Sequence, residues 1–392
     1  MRYTSFTLVV AAWACSPDAP LTAPPPALDA PGSRVAAATY TVVALPTLGG
    51  TSRGNSIDNR GSPAGYSTPL GTTTRHAALW VGGLLTDLGT LGGPNSSVAW
   101  QGQNNRGTIV GISETGALDP LGEAWSCSAF FPTVTYKTCR GLVWENGSMT
   151  ALGTLGGNNS YAASSNSRGQ AVGWAETPVH DPTCNAPQVL QFRAVMWDTR
   201  KHSTTELPPV RGDSTSAATA INDAGQVVGI SGACDVAVGN LSATHAVMWE
   251  KGSVTDLGNL GGAKWHTPTA INPAGDVVGF SDLPGDAVMH AFLWTKRDGM
   301  RDLGTLPGDA ISQANGINAR GQVVGISCGA VCRAFFWEKG VMYDLNTLMA
   351  PGFADFLSSA QAINDAGNIT GRVVEAATGR RLAFVASPNG AP

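Results

Sequence analysis

Six basic side chains recur in one sequence context and are the first candidates for chemistry. His76, His245 and His290 each stand before a short apolar run ending in Trp80, Trp249 or Trp294, and Arg140, Arg193 and Arg333 take the same place before Trp144, Trp197 and Trp337. A histidine there could act as a general base. Arginine could not, because its guanidinium stays protonated. A place that accepts either residue asks for a donor or a positive charge, not for titration. Strand pairing supplies the reason. If Trp249 faces Val254 across a tight turn, Val247 faces Asp256, and His245 lies diagonally from that carboxylate. Diagonal neighbours are within reach of long side chains, so the spacing predicts a polar staple between two strands.

Other motifs are weaker. Gly325-Ile326-Ser327-Cys328-Gly329 fits the nucleophile-elbow pattern GxSxG, which needs a strand, a sharp turn and a helix, with an acid and a His later in the chain. No His follows His290, and Gly-Ile-Ser recurs at Gly111 and Gly229, so the run reads as a strand end. Cys328 and Cys332 lack the second Cys pair or nearby His that would complete a zinc tetrahedron, so neither a metal nor a cofactor is expected. Arg211-Gly212-Asp213, an adhesion tripeptide in other settings, falls where other units carry Gly-Gly. Walker, GxGxxG, HExxH and EF-hand patterns do not occur in the sequence. The rings outside the repeating pattern are Trp100, Trp125, Tyr161, Trp265 and His266. Amphipathic rings of this kind suit sugar or protein ligands, and these five are the expected ligand-binding residues.

Four anchors recur in fixed order and define the elements that position these residues. The first is the run ending in Trp, with a seventh copy, Ala383-Phe384-Val385-Ala386, that lacks the Trp. The second follows it, as in Asp87-Leu88-Gly89-Thr90-Leu91-Gly92-Gly93, with relatives at Ala151, Glu206, Asp256, Asp302 and Asp344 and an early one at Leu45–Gly50. The third is Ile-Asn-x-x-Gly, clearest at Asn222, Asn272, Asn318 and Asn364, and the fourth is a Val-Val-Gly-Ile-Ser run such as Val227–Ser231. Each unit reads as four short strands. Strand a is Asp-Leu-Gly-Thr-Leu, b ends at Ile-Asn, c is Val-Val-Gly-Ile-Ser, and d carries the Trp. The b–c link is a tight turn, because Gly supplies positive φ and Asn or Asp bonds the nearby backbone.

Seven four-stranded units of about 50 residues predict an all-β fold, a seven-bladed β-propeller. The chain begins with an orphan strand a at 40–48 and ends with an orphan strand d at 382–387. Pairing them would close the ring and remove an exposed edge. The c–d inserts and a–b crossovers then share one face, and the tight b–c and d–a turns occupy the other. The c–d inserts run to about 27, 19 and 13 residues in units two to four, long enough to be functional. The expected binding surface is therefore the insert face.

The anchors His290-Ala291-Phe292-Leu293-Trp294, Asp302-Leu303-Gly304-Thr305-Leu306 and Ile317-Asn318 resemble the bacterial HAF repeat family of extracellular proteins, and more distantly kelch repeats. The resemblance spans about residues 40–387. It implies export and a repeat fold but no reaction, and so transfers no catalytic residue.

The termini and cysteines fit export. Residues 1–14 form a signal peptide, with Arg2, the apolar run Leu8–Ala14, and Cys15 placed like the lipidated cysteine of a lipoprotein. The apolar run is far shorter than the ~20 residues of a membrane-spanning helix. Residues 15–39 read as a Pro/Ala-rich tether, 40–387 as the repeat domain and 388–392 as a tail. The six remaining cysteines, an even number, suit an oxidising compartment. Cys127 with Cys139 and Cys328 with Cys332 lie within single inserts, and Cys184 and Cys234 occupy matching places in successive units, so these three pairs are the expected disulfides. Lys and Arg number 24 against 28 Asp and Glu, which excludes a nucleic-acid partner. Inner strand b is mostly Ala, Ser, Thr, Asn and Ile. The expected function is accordingly a monomeric, non-enzymatic binding or scaffolding propeller for an extracellular glycan or protein. It would reach a membrane only through its lipid anchor, at the outer membrane or cell surface, or else be periplasmic or secreted. The alternative is a propeller-fold enzyme such as a polysaccharide lyase or hydrolase.

Overall fold

Short strands with tight turns build nearly all of the structure. The computed structural model describes residues 39–123, 125–236 and 239–390, so the expected leader, Cys15 and all but the last residue of the tether lie outside it. After β1 (Thr39–Ala44) come β2 (Gly49–Ile57), β3 (Pro63–Pro69), β4 (His76–Val81) and β5 (Leu84–Asp87). The next set is β6 (Gly92–Gln103), β7 (Ile109–Leu118), β8 (Lys137–Glu145) and β9 (Ser148–Ala151), with a short helix α1 (Trp125–Ser128) in the insert. Then follow β10 (Ser160–Ser165), β11 (Gln170–His180), β12 (Leu190–Asp198) and β13 (Ser203–Leu207), and β14 (Thr215–Ile221), β15 (Val227–Gly232), β16 (His245–Glu250) and β17 (Ser253–Asp256). The chain continues through β18 (His266–Ile271), β19 (Val277–Asp282), β20 (Met289–Thr295) and β21 (Gly299–Gly304), and β22 (Ile311–Ile317), β23 (Val323–Cys328), β24 (Cys332–Glu338) and β25 (Val341–Asp344). It ends with β26 (Phe356–Ile363), β27 (Ile369–Val374) and β28 (Arg381–Asn389).

Each set forms an antiparallel sheet in the order b, c, d, a, as in β14-β15-β16-β17. The sets β6–β9 and β10–β13 join into one eight-stranded sheet through a single parallel bridge, Ser164 to Gln101. The N-terminal β1 pairs antiparallel with the C-terminal β28, from Thr39 opposite Asn389 to Ala44 opposite Phe384. Strand β28 thus runs two residues past the expected end at 387.

One expected element is different. Asp-Leu-Gly-Thr-Leu-Gly-Gly is mainly the crossover after strand a, and not the strand itself. Strand β5 stops at Asp87. The Asp87 carboxylate then accepts the Gly89 N–H at 2.8 Å, and the same bond forms between Asp256 and Gly258 and between Asp302 and Gly304. This local bond competes with strand pairing and turns the chain.

The sheets pack face to face. Strand c is apolar or small and fully buried in β15 and β23, whereas β11 carries Glu176 and β27 carries Arg372. Val172 and Ala194 of one sheet meet Ala218, Ile221, Val247 and Trp249 of the next in one cluster. The Gly in each Val-Val-Gly-Ile-Ser run is forced by strand b. A bulge there brings a carbonyl so close that a Cβ at Gly229 would lie 2.1 Å from the Ala217 oxygen, and one at Gly325 would lie 2.0 Å from that of Gln313.

Two series of side-chain hydrogen bonds link successive sheets. A Ser near the start of strand b accepts an N–H from strand d of the preceding unit: Ala77 to Ser96, Gly141 to Ser160, Ala194 to Ser216, Ala291 to Ser312, and Ala383 to Ser52, all within 3.0 Å. At the other end, the turn Asn donates to the matching carbonyl of the next unit. The series runs from Asn104 through Asn166, Asn222, Asn272, Asn318 and Asn364 to the Asp58 carbonyl. Asp58 has no amide to donate; the Asn59 N–H bonds Asn105 at 2.8 Å, as Ser167 bonds Asp223 and Ala319 bonds Asp365 in units whose turn Asn does donate. The turn Asn therefore serves both its own turn and its neighbour. Replacing Asn318 by Ala removes both roles and should cost about 1–3 kcal/mol, whereas Asn318→Asp, which keeps the turn acceptor, should cost less. Equal losses in chemical denaturation would show that the bond between units contributes nothing.

Candidate active site

The staples form. The register pairs Trp249 with Val254 and Val247 with Asp256. His76 meets Asp87 at 2.8 Å, His290 meets Asp302 at 2.9 Å, and Arg333 meets Asp344 at 3.2 Å. Looser pairs join Arg193 with Glu206 at 3.9 Å and His245 with Asp256 at 4.0 Å. Asp213 of the adhesion-like tripeptide takes part as well, 3.0 Å from His245. Ser327 of the GxSxG run is fully buried on β23 and accepts the Leu306 N–H, which is structural work. All three expected disulfides are present: Cys127–Cys139, Cys184–Cys234 and Cys328–Cys332.

The five expected ligand-binding residues fall in different surroundings. Tyr161 stacks on Phe130 with centroids 4.5 Å apart and lies 6.4 Å from Trp174. Trp265 sits edge-on to Phe280 at 5.5 Å. Both rings pack on one apolar cluster of Trp174, Phe192, Ala217 and Ile230. His266 is buried within β18, 2.8 Å from the Ser281 hydroxyl, and burial lowers its pKa. Trp125 lies in α1, with its side chain outside the described residues. Trp100 stands apart, 39% exposed, on a long bulge of β6. Val98 faces Gly111 and Gln103 faces Ile109, so four residues oppose one, and Gln101 reaches the Asn315 carbonyl at 2.9 Å.

The densest chemistry is a group of carboxylates that motif reasoning missed. Glu176 lies within β11, strand c of the third unit, which runs on to His180, and is fully buried. It accepts the backbone N–H groups of Asn158 and Asn159 at 3.1 and 2.8 Å. Glu123, from the long insert of the second unit, is equally buried and accepts the N–H groups of Val189 and Leu190 at 2.8 and 2.6 Å. The Gln188 amide bridges the two, 3.3 Å from Glu123 and 3.2 Å from Glu176. Asp119, at the other end of the same turn, accepts from the Asn159 amide at 2.7 Å. Burial, and then the charge of Glu123, push the Glu176 pKa up to about 7. Burial also raises Glu123, against the pull of its backbone bonds. A buried carboxyl that keeps its proton up to about pH 7 beside a second buried carboxyl group suits general acid–base chemistry. The sequence held a partial signal: an acid stands at the matching strand-c position at Glu114 and Asp282 as well, where it caps a crossover. Glu123 breaks the repeat, and only the folded insert brings it to Glu176.

No family model matches the chain, and no curated protein matches its sequence. Solved structures match in fold. An oligogalacturonate lyase in complex with manganese aligns with TM-score 0.52 and 10% identity, covering 90% of this chain and 94% of that one. An acylaminoacyl peptidase of Pyrococcus horikoshii aligns with TM-score 0.48 and 10% identity over 86% of this chain and 51% of its own length. A puromycin-hydrolyzing peptidase of Mycobacterium tuberculosis gives 0.46 and 10%, over 89% of this chain and 56% of its own. The chain spans about half the length of these peptidases. At such identity the likeness is one of fold, a propeller-like all-β architecture.

The lyase that aligns over nearly the whole of both chains is an enzyme, and that tells against the expectation of a non-enzymatic binding or scaffolding protein. The physical reason is local. The expectation rested on the bland composition of strand b, whereas the titrating groups sit where an insert meets strand c. Among the described residues no group of three or more His, Cys, Asp or Glu side chains is arranged to hold a metal ion, so these residues do not fit a manganese site.

The raised Glu176 pKa has a stability consequence. Between its ordinary 4.5 and about 7 the folded state holds a proton that the unfolded state releases. Stability from this group should therefore be greatest below pH 4.5 and fall as pH rises to 7, by on the order of 3 kcal/mol. Glu176→Gln should flatten that part of the profile of melting temperature against pH. An unchanged slope in the variant would show that Glu176 does not titrate there.

Proposed function

We propose that this chain is an exported enzyme of the polysaccharide lyase or hydrolase class, built on a seven-bladed closed propeller. The observation that carries the reading is the Glu123–Glu176 pair, bridged by one amide and holding a proton near neutrality. Either reaction needs such a group. In hydrolysis the protonated carboxyl gives its proton to the glycosidic oxygen as the bond to it breaks, while water bonds to the anomeric carbon and gives a proton to the second carboxylate. In elimination the carboxylate takes the proton beside the sugar's carboxyl group, a double bond forms, and the glycosidic oxygen leaves and takes a proton from water. The fold match to a lyase over nearly the whole of both chains supports this reading. The pairing of β1 with β28 and the Asn series returning to Asp58 support a closed ring. Three disulfides support an oxidising compartment, and a lipid on Cys15 would hold the enzyme at a cell surface.

Both carboxylates are fully buried, so substrate reaches them only when the structure around them opens. Glu176 stands on β11, and Glu123 comes from the insert between β7 and β8. Leaderless protein should degrade a polysaccharide in a panel read for unsaturated products and for new reducing ends. Glu176→Gln should lower the rate by about 100-fold or more while leaving the far-ultraviolet circular dichroism unchanged. Full activity in that variant, or no turnover across acidic and neutral polysaccharides, would overturn the assignment.

A further inference from the structure

The staple between strands d and a fails in one unit. In five units a His or Arg before the Trp run has an acid diagonally across the turn, at Asp87, Glu206, Asp256, Asp302 or Asp344. In the second unit the cation is Arg140 and the acid is missing. Leu142 pairs with Ala151, so Ala151 holds the place of the staple acid. A second source of charge is missing too. Asp213 and Asp309 supply an acid from the a–b crossover to His245 and Arg333, and the matching crossover position in the second unit is Gly93. Among the described residues the Arg140 guanidinium makes no hydrogen bond or ion pair, although the residue is half-buried. Its neighbour in charge is Glu176, whose oxygens are already taken by Asn158, Asn159 and Gln188.

A half-buried guanidinium without a partner is costly, and a planar fork of donors matches a carboxylate. We propose that Arg140 is a subsite for the carboxylate of an acidic sugar, a uronate, which takes the place that the staple acid holds in the other units. This deepens the polysaccharide reading by naming the substrate class, and it rests on that reading for the sugar. The subsite lies on the second unit close to Glu176: the neighbouring Cys139 N–H bonds Asn159, whose amide bonds Glu176, and the Glu176 charge acts on Arg140. Desolvation already lowers the Arg140 pKa, and a bound carboxylate would reverse that shift.

The test uses leaderless protein and sodium galacturonate, with galactose, sodium acetate and sodium chloride as controls at matched ionic strength. Galacturonate should raise the melting temperature saturably, while the three controls should not. Arg140→Gln should abolish the shift. Ala151→Asp should restore the internal staple, raise the melting temperature of the free protein and abolish the galacturonate shift. The Ala151→Asp variant guards against misfolding, because it is expected to be more stable than the parent. A galacturonate shift that survives Ala151→Asp or Arg140→Gln would overturn the subsite, and so would an equal shift with galactose. A matching shift with acetate would overturn the uronate assignment. Binding is read without turnover. Failure of the enzymatic reading therefore leaves this result standing, and failure of the subsite leaves turnover through Glu176 untouched.

Discussion

A four-stranded sheet leaves two edges bare, and the structure depends on how those edges are satisfied. Unpaired backbone groups on an edge strand must find partners or water. Here the partners are mostly short polar side chains of the next unit: Ser near the start of strand b takes an N–H from strand d, and Asn at its end gives its amide to the following turn. Each bond contributes about 1 kcal/mol net, but the series reach from one unit to the next and back to the first through Asn364 and Ala383. The apolar faces supply most of the burial, and the two polar series set the spacing at which those faces meet. Within a sheet, the bulge of strand b brings a carbonyl against strand c and leaves no room for a Cβ at its Gly.

A scaffold made of repeated solutions makes its departures easy to see. His–Asp and Arg–Glu staples are interchangeable fasteners between strands d and a. Ala151 removes one of them, beside the insert that delivers Glu123. Asp58 cannot donate as the other turn Asn residues do, and there the backbone bond from Asn59 to Asn105 is what joins the two turns. His266 stands where other units carry the edge Ser. Asp58 and His266 are absorbed by local adjustment. Those at Arg140 and Glu123 leave charge buried in the second and third units, and their energetic cost fits a functional site better than a fastener.

Legibility followed range. The b–c turn was readable because Asn and Gly act on their own backbone within four residues. The staple was readable because a two-stranded register fixes diagonal neighbours, and the His245–Asp256 geometry matches it. The Cys184–Cys234 bridge was readable because matching insert positions in successive units must lie side by side. The Asp-Leu-Gly-Thr-Leu anchor misled, because alternating apolar residues suggest a strand, whereas the Asp87 side chain captures the Gly89 N–H and ends it.

The sequence by itself determined the repeat, the all-β class, the strand order within a unit, the disulfide pairs and the staples. All of these rest on contacts within one unit or between matching positions of two neighbours, where periodicity does the work of geometry. Only the tertiary structure decided the site. Glu123 lies in an insert with no counterpart in other units, and Glu176 looks like one more acid on strand c. Their proximity depends on how a long insert lies across the next sheet, and the raised pKa depends on the burial that follows. Burial and non-repeating contact are properties of the folded whole, so no spacing in the chain could announce them.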